Sequence, residues 1–146
     1  CGTGRYLEIQ KLYKKVYLLD ISKHNLKIAS EVADELEIKY ETIQGSLNSV
    51  KNLIDIFFSV GVFGIQYPFN KKTVEKIYST LNPNGIAIFT VKNNDHQDQE
   101  LYQEVLALNE SRILEMLEGY NFSTESVDFP SIRGKKDSAV VVKLRK

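Results

Sequence analysis

Apolar segments of strand length alternate with segments of helical periodicity along the whole chain. The segment 53–60, LIDIFFSV, is apolar almost throughout, which is typical of a central parallel strand covered on both faces. Three other segments have strand character, at 15–20, 39–43 and 86–91. Because helical patterns separate these strands, the sequence predicts an α/β fold, a mostly parallel sheet that carries helices on its faces.

Helices are predicted where apolar residues recur at helical spacing beside capping residues. Ser22 is a suitable N-cap for the second of them, and a break near Asn109 predicts a separate helix capped by Asn109 or Ser111. The helical patterns before that break cover 5–13, 22–36, 72–81 and 100–108.

The chain ends in two predicted strands, 122–129 and 139–144, with no helix between them. The connection 130–137 is too short for a crossover helix, so the two strands must be antiparallel. The sheet is therefore expected to be mostly parallel with an antiparallel last strand. Residues 1–146 are predicted to form one domain, since the length suits a single core and no linker or repeat interrupts it.

Composition narrows the possible partners and compartments. Lys plus Arg and Asp plus Glu each number 19, so no net field attracts nucleic acid, and a nucleic-acid partner is not favoured. No apolar run approaches the ~20 residues of a membrane-spanning helix. The one cysteine fits a reducing compartment. The sequence predicts a cytoplasmic protein without a membrane partner, and no pattern indicates its oligomeric state.

A glycine turn and a strand-end carboxylate carry the chemistry of the N-terminal region. Gly2 and Gly4 flank Thr3 and let a ligand approach the backbone closely. Asp20 ends an apolar strand, where its carboxylate can accept hydrogen bonds from a vicinal diol. This order is typical of a βαβ unit that holds the ribose end of a nucleotide-like cofactor. The alternative role of Asp20 is to cap the following helix, although Ser22 is available for that.

Five segments, in this order and spacing, resemble motifs of the class I S-adenosylmethionine-dependent methyltransferases. Cys1-Gly2-Thr3-Gly4-Arg5 is similar to the second half of that family's glycine motif, and VYLLDISKHNLKIA to the strand, acid and capped helix that follow. The other segments are similar to the fourth strand, the turn before the fifth strand and the closing strand, namely 54–59, 81–85 and 140–146. The resemblance covers essentially the whole chain and implies a Rossmann-like fold with S-adenosylmethionine as cofactor.

The resemblance also implies which residues bind the cofactor. The glycine turn would lie beneath the methionine part, Asp20 would bind both ribose hydroxyls, and the fourth strand's end would lie under the sulfonium. Ser46 stands where the family commonly has an acidic residue that meets the adenine amino group. The implied binding residues fall in four segments, namely Cys1, Gly2, Thr3 and Gly4; Asp20 and Ile21; Ser46 and Leu47; and Ser59, Val60 and Gly61.

Two other functions share parts of this pattern. An NAD(P)-dependent oxidoreductase would carry the glycines and the acid, but its fingerprint needs a small residue where this chain has Leu7. A non-catalytic domain of the same fold, a scaffold or a cofactor-binding regulator, is favoured by Ser46 and by the shortened glycine motif. The function that the resemblance implies first is methyl transfer to a small-molecule acceptor.

Few residues are candidates for catalysis or metal binding. His96 lies in a polar segment after strand 86–91 and is a candidate general base, although a solvated histidine is the favoured interpretation. Cys1 is interpreted as a small turn residue, since no base lies near it in the sequence. His24 and His96 give no metal-ligand spacing, so no metal is expected.

The family's first strand would precede Cys1 and lie between the strands that end at Asp20 and Ser59. We expect the chain to lack this strand, and the edges of both neighbouring strands to be exposed. We further expect the chain to bind cofactor poorly until such a strand is supplied.

Overall fold

The computed structural model describes residues 1–93, 108–130 and 136–146. The chain divides into two compact units, Cys1–Lys51 and Asn52–Lys146. Among the described residues, no helix combines the length and the apolar character that crossing a bilayer requires.

The first unit is a βαβ arrangement with one pair of strands. β1 (Val16–Asp20) pairs in parallel with β2 (Tyr40–Gln44), and α1 (Lys23–Glu35) connects them. Two strands with an intervening helix were predicted here, and they are confirmed. The three elements share one buried apolar cluster, formed by Leu7, Val16, Leu18, Leu26, Ala29, Ala33 and Ile38.

The start of α1 follows its sequence signal. Ser22 has an extended backbone, and its hydroxyl oxygen accepts a hydrogen bond from the amide of Asn25 at 3.2 Å. This bond satisfies one of the amides that have no partner within the helix. Ala29 and Ala33 on the buried side of α1 are fully buried, as their position on the apolar face predicts.

The helix predicted over 5–13 is wrong, because only Leu7–Gln10 is helical, as a single 3₁₀ turn. Leu7 is buried, whereas Ile9 and Leu12 are 60% and 93% exposed. Leu7 and Ile9 are two residues apart and cannot share one face of a helix. With one buried side chain, the segment gains too little apolar burial to hold a longer helix.

The second unit contains a four-stranded mixed sheet in the order β3-β4-β6-β5. Its elements along the chain are β3 (Ile54–Phe63), α2 (Lys71–Thr80), β4 (Leu81–Asn93), α3 (Glu110–Leu117), β5 (Asn121–Pro130) and β6 (Lys136–Arg145). β3 and β4 are parallel, and β6 is antiparallel to both β4 and β5. The predicted antiparallel finish is confirmed, and so is the helix capped by Asn109, whose side-chain oxygen accepts from the Arg112 amide at 2.9 Å.

Alternate residues of the two central strands form the core of this unit. The rings of Phe63 and Phe69 pack on Phe89, with ring centroids 5.5 and 5.7 Å away, and Ile77 of α2 and Ile113 of α3 are fully buried. Six fully buried residues pair across the β4–β6 ladder, namely Ala87, Phe89, Val91, Val140, Val142 and Leu144.

β3 differs in part from the prediction for 53–60. The strand is parallel to its neighbour and lies at an edge of the described sheet, both as predicted, but Ile56 and Val60 are 39% and 37% exposed, so its two faces are not fully covered. β1 likewise lies at an edge of its two-stranded sheet. An apolar sequence favours burial of the strand, but the number of flanking strands is decided by the tertiary structure.

The turn predicted at 82–85 lies within the bounds of β4. Asn84 has a φ of +66°, in the left-handed region. Between the pairs Ile54↔Leu81 and Ile56↔Ile86, β4 advances five residues while β3 advances two. The turn residues therefore form an irregularity inside the strand rather than a loop before it.

Candidate functional site

The glycine turn at 1–4 has the backbone conformation that its sequence requires. Gly2 and Gly4 have φ values of +57° and +84°, which L residues with a side chain rarely adopt. A Cβ on Gly4 would lie 2.8 Å from Cδ1 of Leu7 and 3.3 Å from Cα of Ala29. A Cβ on Gly2 would meet no atom within 4 Å. Gly4 is therefore needed for packing against α1, whereas Gly2 borders open space.

Asp20 joins this turn to the end of β1 and the start of α1. Its Oδ2 accepts a hydrogen bond from the Gly2 amide at 2.8 Å and lies 3.3 Å from the Cys1 nitrogen. Its Oδ1 accepts from the Ser22 amide at 2.9 Å and lies 3.5 Å from Nδ2 of Asn25. The structure thus brings together the two features that the sequence singled out, although they are 18 residues apart.

The surroundings of Asp20 favour its ionised form. Burial raises the pKa of the carboxyl, whereas the hydrogen bonds donated by the Ser22 and Gly2 amides lower it, and the net pKa is below 3.8. Amides that donate to a carboxylate stabilise its charge. Asp20 is therefore a fixed anion at neutral pH, with 13% of its side chain exposed.

The end of β2 is hydrogen-bonded to the backbone of Asp20. The Gly45 amide donates to the backbone oxygen of Asp20 at 2.9 Å. Ser46 then caps a 3₁₀ turn, Leu47–Ser49, and its hydroxyl oxygen accepts from the Asn48 amide at 3.4 Å. The Ser46 hydroxyl predicted to face adenine is therefore partly engaged in local structure.

The two apolar residues predicted beside the cofactor have opposite exposure. Ile21, immediately after Asp20, is 75% exposed, whereas Leu47 is 6% exposed. An exposed isoleucine beside a partly buried anion is available to cover an apolar ligand surface. Leu47 instead contributes its side chain to the core.

Three predicted residues, Ser59, Val60 and Gly61, lie in the second unit near the end of β3. Ser59 pairs with Phe89, and Val60 is exposed. Gly61 has a φ of +72°, and its amide donates to the Thr90 hydroxyl at 2.9 Å. The structure therefore places these three residues where β3 leaves its regular pairing with β4.

The remaining residues considered for catalysis or metal binding are Cys1, His24 and His96. Cys1 is an exposed free thiol, and His24 is exposed on α1. The prediction for His96 lies outside the described residues. Within residues 1–93, 108–130 and 136–146, no three His, Cys, Asp or Glu side chains cluster so as to hold a metal ion.

A shallow surface depression of about 470 Å³ lies in the second unit, beside α3, and contains no predicted site residue. Its lining includes Leu114, Glu118 and Phe122.

Two residues that contact the predicted site residues were not themselves predicted from the sequence. Asn25 contacts Asp20, and its signal is its position three residues after the cap Ser22, where a helix residue faces back towards the cap. Thr90 binds Gly61 across 29 residues of sequence. No local pattern links Thr90 to that glycine, because the link depends on the register between β3 and β4.

Comparison with protein families places the chain among methyl-transferring domains. A family model described as a methyltransferase domain matches residues 1–136. No curated protein matches the chain by sequence.

Solved structures share the fold at low sequence identity. TehB from Haemophilus influenzae has a TM-score of 0.77 and 16% identity, over 100% of this chain and 55% of its own. A SAM-dependent methyltransferase from Methanosarcina mazei has a TM-score of 0.75 and 13% identity, over 100% of this chain and 89% of its own. The N-methyltransferase NodS from Bradyrhizobium japonicum, in complex with S-adenosyl-L-homocysteine, has a TM-score of 0.74 and 12% identity, over 100% of this chain and 74% of its own. The chain therefore spans little more than half of TehB and has the fold of all three.

Proposed function

Since this chain belongs to the class I S-adenosylmethionine-dependent methyltransferase family, we propose that it binds S-adenosylmethionine at the glycine turn and Asp20, and transfers the methyl group to a small-molecule acceptor. One observation carries the proposal, the 2.8 Å bond between Asp20 Oδ2 and the Gly2 amide. A ligand that contacts one of these two groups is within reach of the other.

The contacts of Asp20 suggest how a ribose would bind. The bonds from Gly2 and Ser22, at 2.8 and 2.9 Å, are short and fix the orientation of the carboxylate. The contacts to the Cys1 nitrogen and to Asn25, at 3.3 and 3.5 Å, are long and therefore weak. Two ribose hydroxyls could replace these long contacts with charge-assisted bonds, each of which contributes about 1.5–3 kcal/mol.

Neighbouring residues complete the proposed adenosine site. The exposed side chain of Ile21 would cover one face of the adenosine, and Ser46 would offer its second lone pair to the adenine amino group. The open space at Gly2 would allow the methionine part to approach the backbone. Leu47 would support this site from the core and not by side-chain contact.

The proposed chemistry needs alignment more than acid–base groups. S-adenosylmethionine, when bound, would supply an electrophilic methyl group for transfer to the acceptor. The chain's own residues orient the cofactor and exclude water. Holding two reactants in attack geometry can account for roughly 7–11 kcal/mol of a barrier.

Calorimetric titration with S-adenosylhomocysteine tests the proposal. We expect binding by the protein and at least about tenfold weaker binding by Asp20→Ala, from the loss of one charge-assisted bond. Glu35→Ala, which removes an exposed carboxylate at the end of α1, is the matched control and should bind normally. Binding by Asp20→Ala that equals the parent, with an unchanged circular dichroism spectrum, would contradict the proposal.

A second function, cofactor binding without transfer, is favoured by Ser46. Its hydroxyl is neutral and already accepts from Asn48, so the adenine contact would be weaker than that of a carboxylate. Tight binding of S-adenosylmethionine without methylation of any member of a broad acceptor panel would support this alternative. Binding of NAD(H) in place of S-adenosylhomocysteine would instead support an oxidoreductase.

A further inference from the structure

Four large apolar side chains that lie close together in the first unit are exposed. Ile9 and Leu12 are 60% and 93% exposed, and Tyr6 and Tyr13 are 39% and 47% exposed. Single exposed apolar residues are ordinary on a protein surface, whereas a contiguous group of them marks a surface that binds a protein or a membrane. We call these four residues the outer patch.

The backbone of this segment holds the outer patch away from the core. Leu7 is 2% exposed and belongs to the buried cluster of the first unit. In tight turns, side chains three residues apart lie on the same side, which puts Tyr6 and Ile9 together. Three such turns follow one another, with hydrogen bonds to the carbonyl oxygens of Gly4, Glu8 and Gln10 from the amides of Leu7, Lys11 and Tyr13.

The surroundings of the outer patch are basic. Glu8 is the only acidic residue in the segment 5–15. Lys15 pairs with Glu41 of β2 at 2.7 Å, so its charge is partly neutralised. The segment is therefore locally positive, although the whole chain has equal numbers of basic and acidic residues. Its exposed basic residues are Arg5, Lys11, Lys14 and Lys15.

Charge and residue type favour an anionic lipid surface over a protein as the occupant. A second copy related by a two-fold axis would bring the same basic side chains together, which costs energy. Lysine is depleted in protein–protein interfaces, whereas each Lys or Arg near an anionic bilayer strengthens the attraction. Exposed isoleucine and leucine insert among lipids without a complementary pocket, and tyrosine is enriched at the bilayer interface.

We propose that the outer patch and its basic neighbours bind the surface of a membrane that contains anionic lipids. Ile9 and Leu12 enter the boundary between headgroups and acyl chains, the two tyrosines lie at headgroup level, and the lysines face the lipid charges. The prediction of no membrane partner rested on the net charge and on the absence of a spanning segment. Neither of these describes a local surface.

Vesicle co-sedimentation without cofactor tests the proposal. Vesicles of phosphatidylcholine alone are compared with vesicles of phosphatidylcholine and phosphatidylserine in equal amounts. We expect the parent protein to bind the mixed vesicles at least about tenfold more tightly, because of its local positive charge. Ile9→Ser/Leu12→Ser and Lys11→Gln/Lys14→Gln should each bind the mixed vesicles at least about tenfold more weakly than the parent.

Matched controls come from the second unit. Leu53→Ser/Ile65→Ser removes the same two apolar residue types from exposed positions, and Lys71→Gln/Lys72→Gln removes two exposed lysines. Both controls should bind within about twofold of the parent, since surface substitutions elsewhere change little. Circular dichroism checks the fold of every variant. If Ile9→Ser/Leu12→Ser unfolds, Leu12→Ser alone should still weaken binding by about threefold.

Several results would overturn the proposal. They are no binding of the parent to either vesicle, equal affinity for the two vesicles, and unchanged binding when the apolar side chains of the outer patch are removed. Sedimentation equilibrium that shows a parent dimer, abolished by Ile9→Ser/Leu12→Ser, would assign the outer patch to a second copy instead. The proposed function is not affected by any of these results, because the titration of Asp20→Ala tests it separately.

Discussion

The turns next to the ends of β1 and β3 are each held by a hydrogen bond to a side chain, but the two acceptors differ in charge. At each, a side chain accepts the amide of a glycine with positive φ, Asp20 from Gly2 at 2.8 Å and Thr90 from Gly61 at 2.9 Å. The acceptor at β1 is a carboxylate that takes bonds from two backbone segments. The acceptor at β3 is a single neutral hydroxyl.

This difference determines how strongly each turn is held. Hydrogen bonds to a charged group contribute about 1.5–3 kcal/mol, and those between neutral groups about 0.5–1.5 kcal/mol. Packing acts in the same direction, because Gly4 next to the first turn lies against Leu7 and Ala29, whereas Gly61 borders open space. We therefore expect the glycine turn at 1–4 to be more rigid than the turn at Gly61. Its acceptor, Asp20, also titrates, whereas a threonine hydroxyl does not.

The largest expected effect on stability comes from adding a methyl group at Gly4, in the packed glycine turn. Gly4→Ala combines a Cβ clash with a positive φ and should destabilise the protein by about 2–5 kcal/mol. Gly61→Ala has the φ penalty alone and should cost about 1–2 kcal/mol. Urea unfolding followed by circular dichroism measures both, and a Gly61→Ala cost equal to that of Gly4→Ala would remove the packing difference between the turns.

Removal of the charged acceptor should have the next largest effect on stability. Asp20→Asn keeps the shape but directs its NH₂ group at one of the two amides, Gly2 or Ser22, that donate to the carboxylate, and we expect a loss of about 1.5–3 kcal/mol. Glu35→Gln, an exposed site on α1, is the matched amide control and should change stability by less than about 0.5 kcal/mol. Equal unfolding midpoints for the two variants would show that Asp20 does not hold the turn.

The two turns should also differ in their response to pH. The folded-state pKa of Asp20 is below 3.8, so its contribution is complete above that ordinary value and is lost as the pH falls through the folded-state pKa. The stability difference between the parent and Asp20→Asn should therefore shrink on acidification. The difference between the parent and Thr90→Val should stay constant over the same range. A constant difference for Asp20→Asn would contradict the pKa shift.

The smallest expected effect is that of the neutral acceptor. Thr90→Val should lower the free energy of unfolding by about 0.5–1.5 kcal/mol, and Thr90→Ser by less. Thermal unfolding, with Thr73→Ser at the start of α2 as a Thr→Ser control outside the β strands, measures the change. A larger loss in Thr90→Val than in Asp20→Asn would reverse the ranking of the two turns.

Local sequence patterns, each spanning only a few residues, predicted most of the helices and strands. Ser22 and Asn109 cap the helices that they were expected to cap, because a side chain and an amide three residues on meet in any helix start. The antiparallel finish followed from the length of the connection 130–137, which is a covalent limit. The local pattern misled in 5–13, because Leu7 and Ile9 are two residues apart and do not lie on one face of a helix.

At the candidate site, the sequence alone determined which residue types stand at each strand end, the glycines and Asp20 at one and Ser59, Val60 and Gly61 at the other. Tertiary structure decided what each one contacts. The bond from Gly2 to Asp20 and the bond from Gly61 to Thr90 join residues 18 and 29 positions apart. Such contacts depend on strand register and helix packing, which arise from the whole buried core and not from any single segment of sequence.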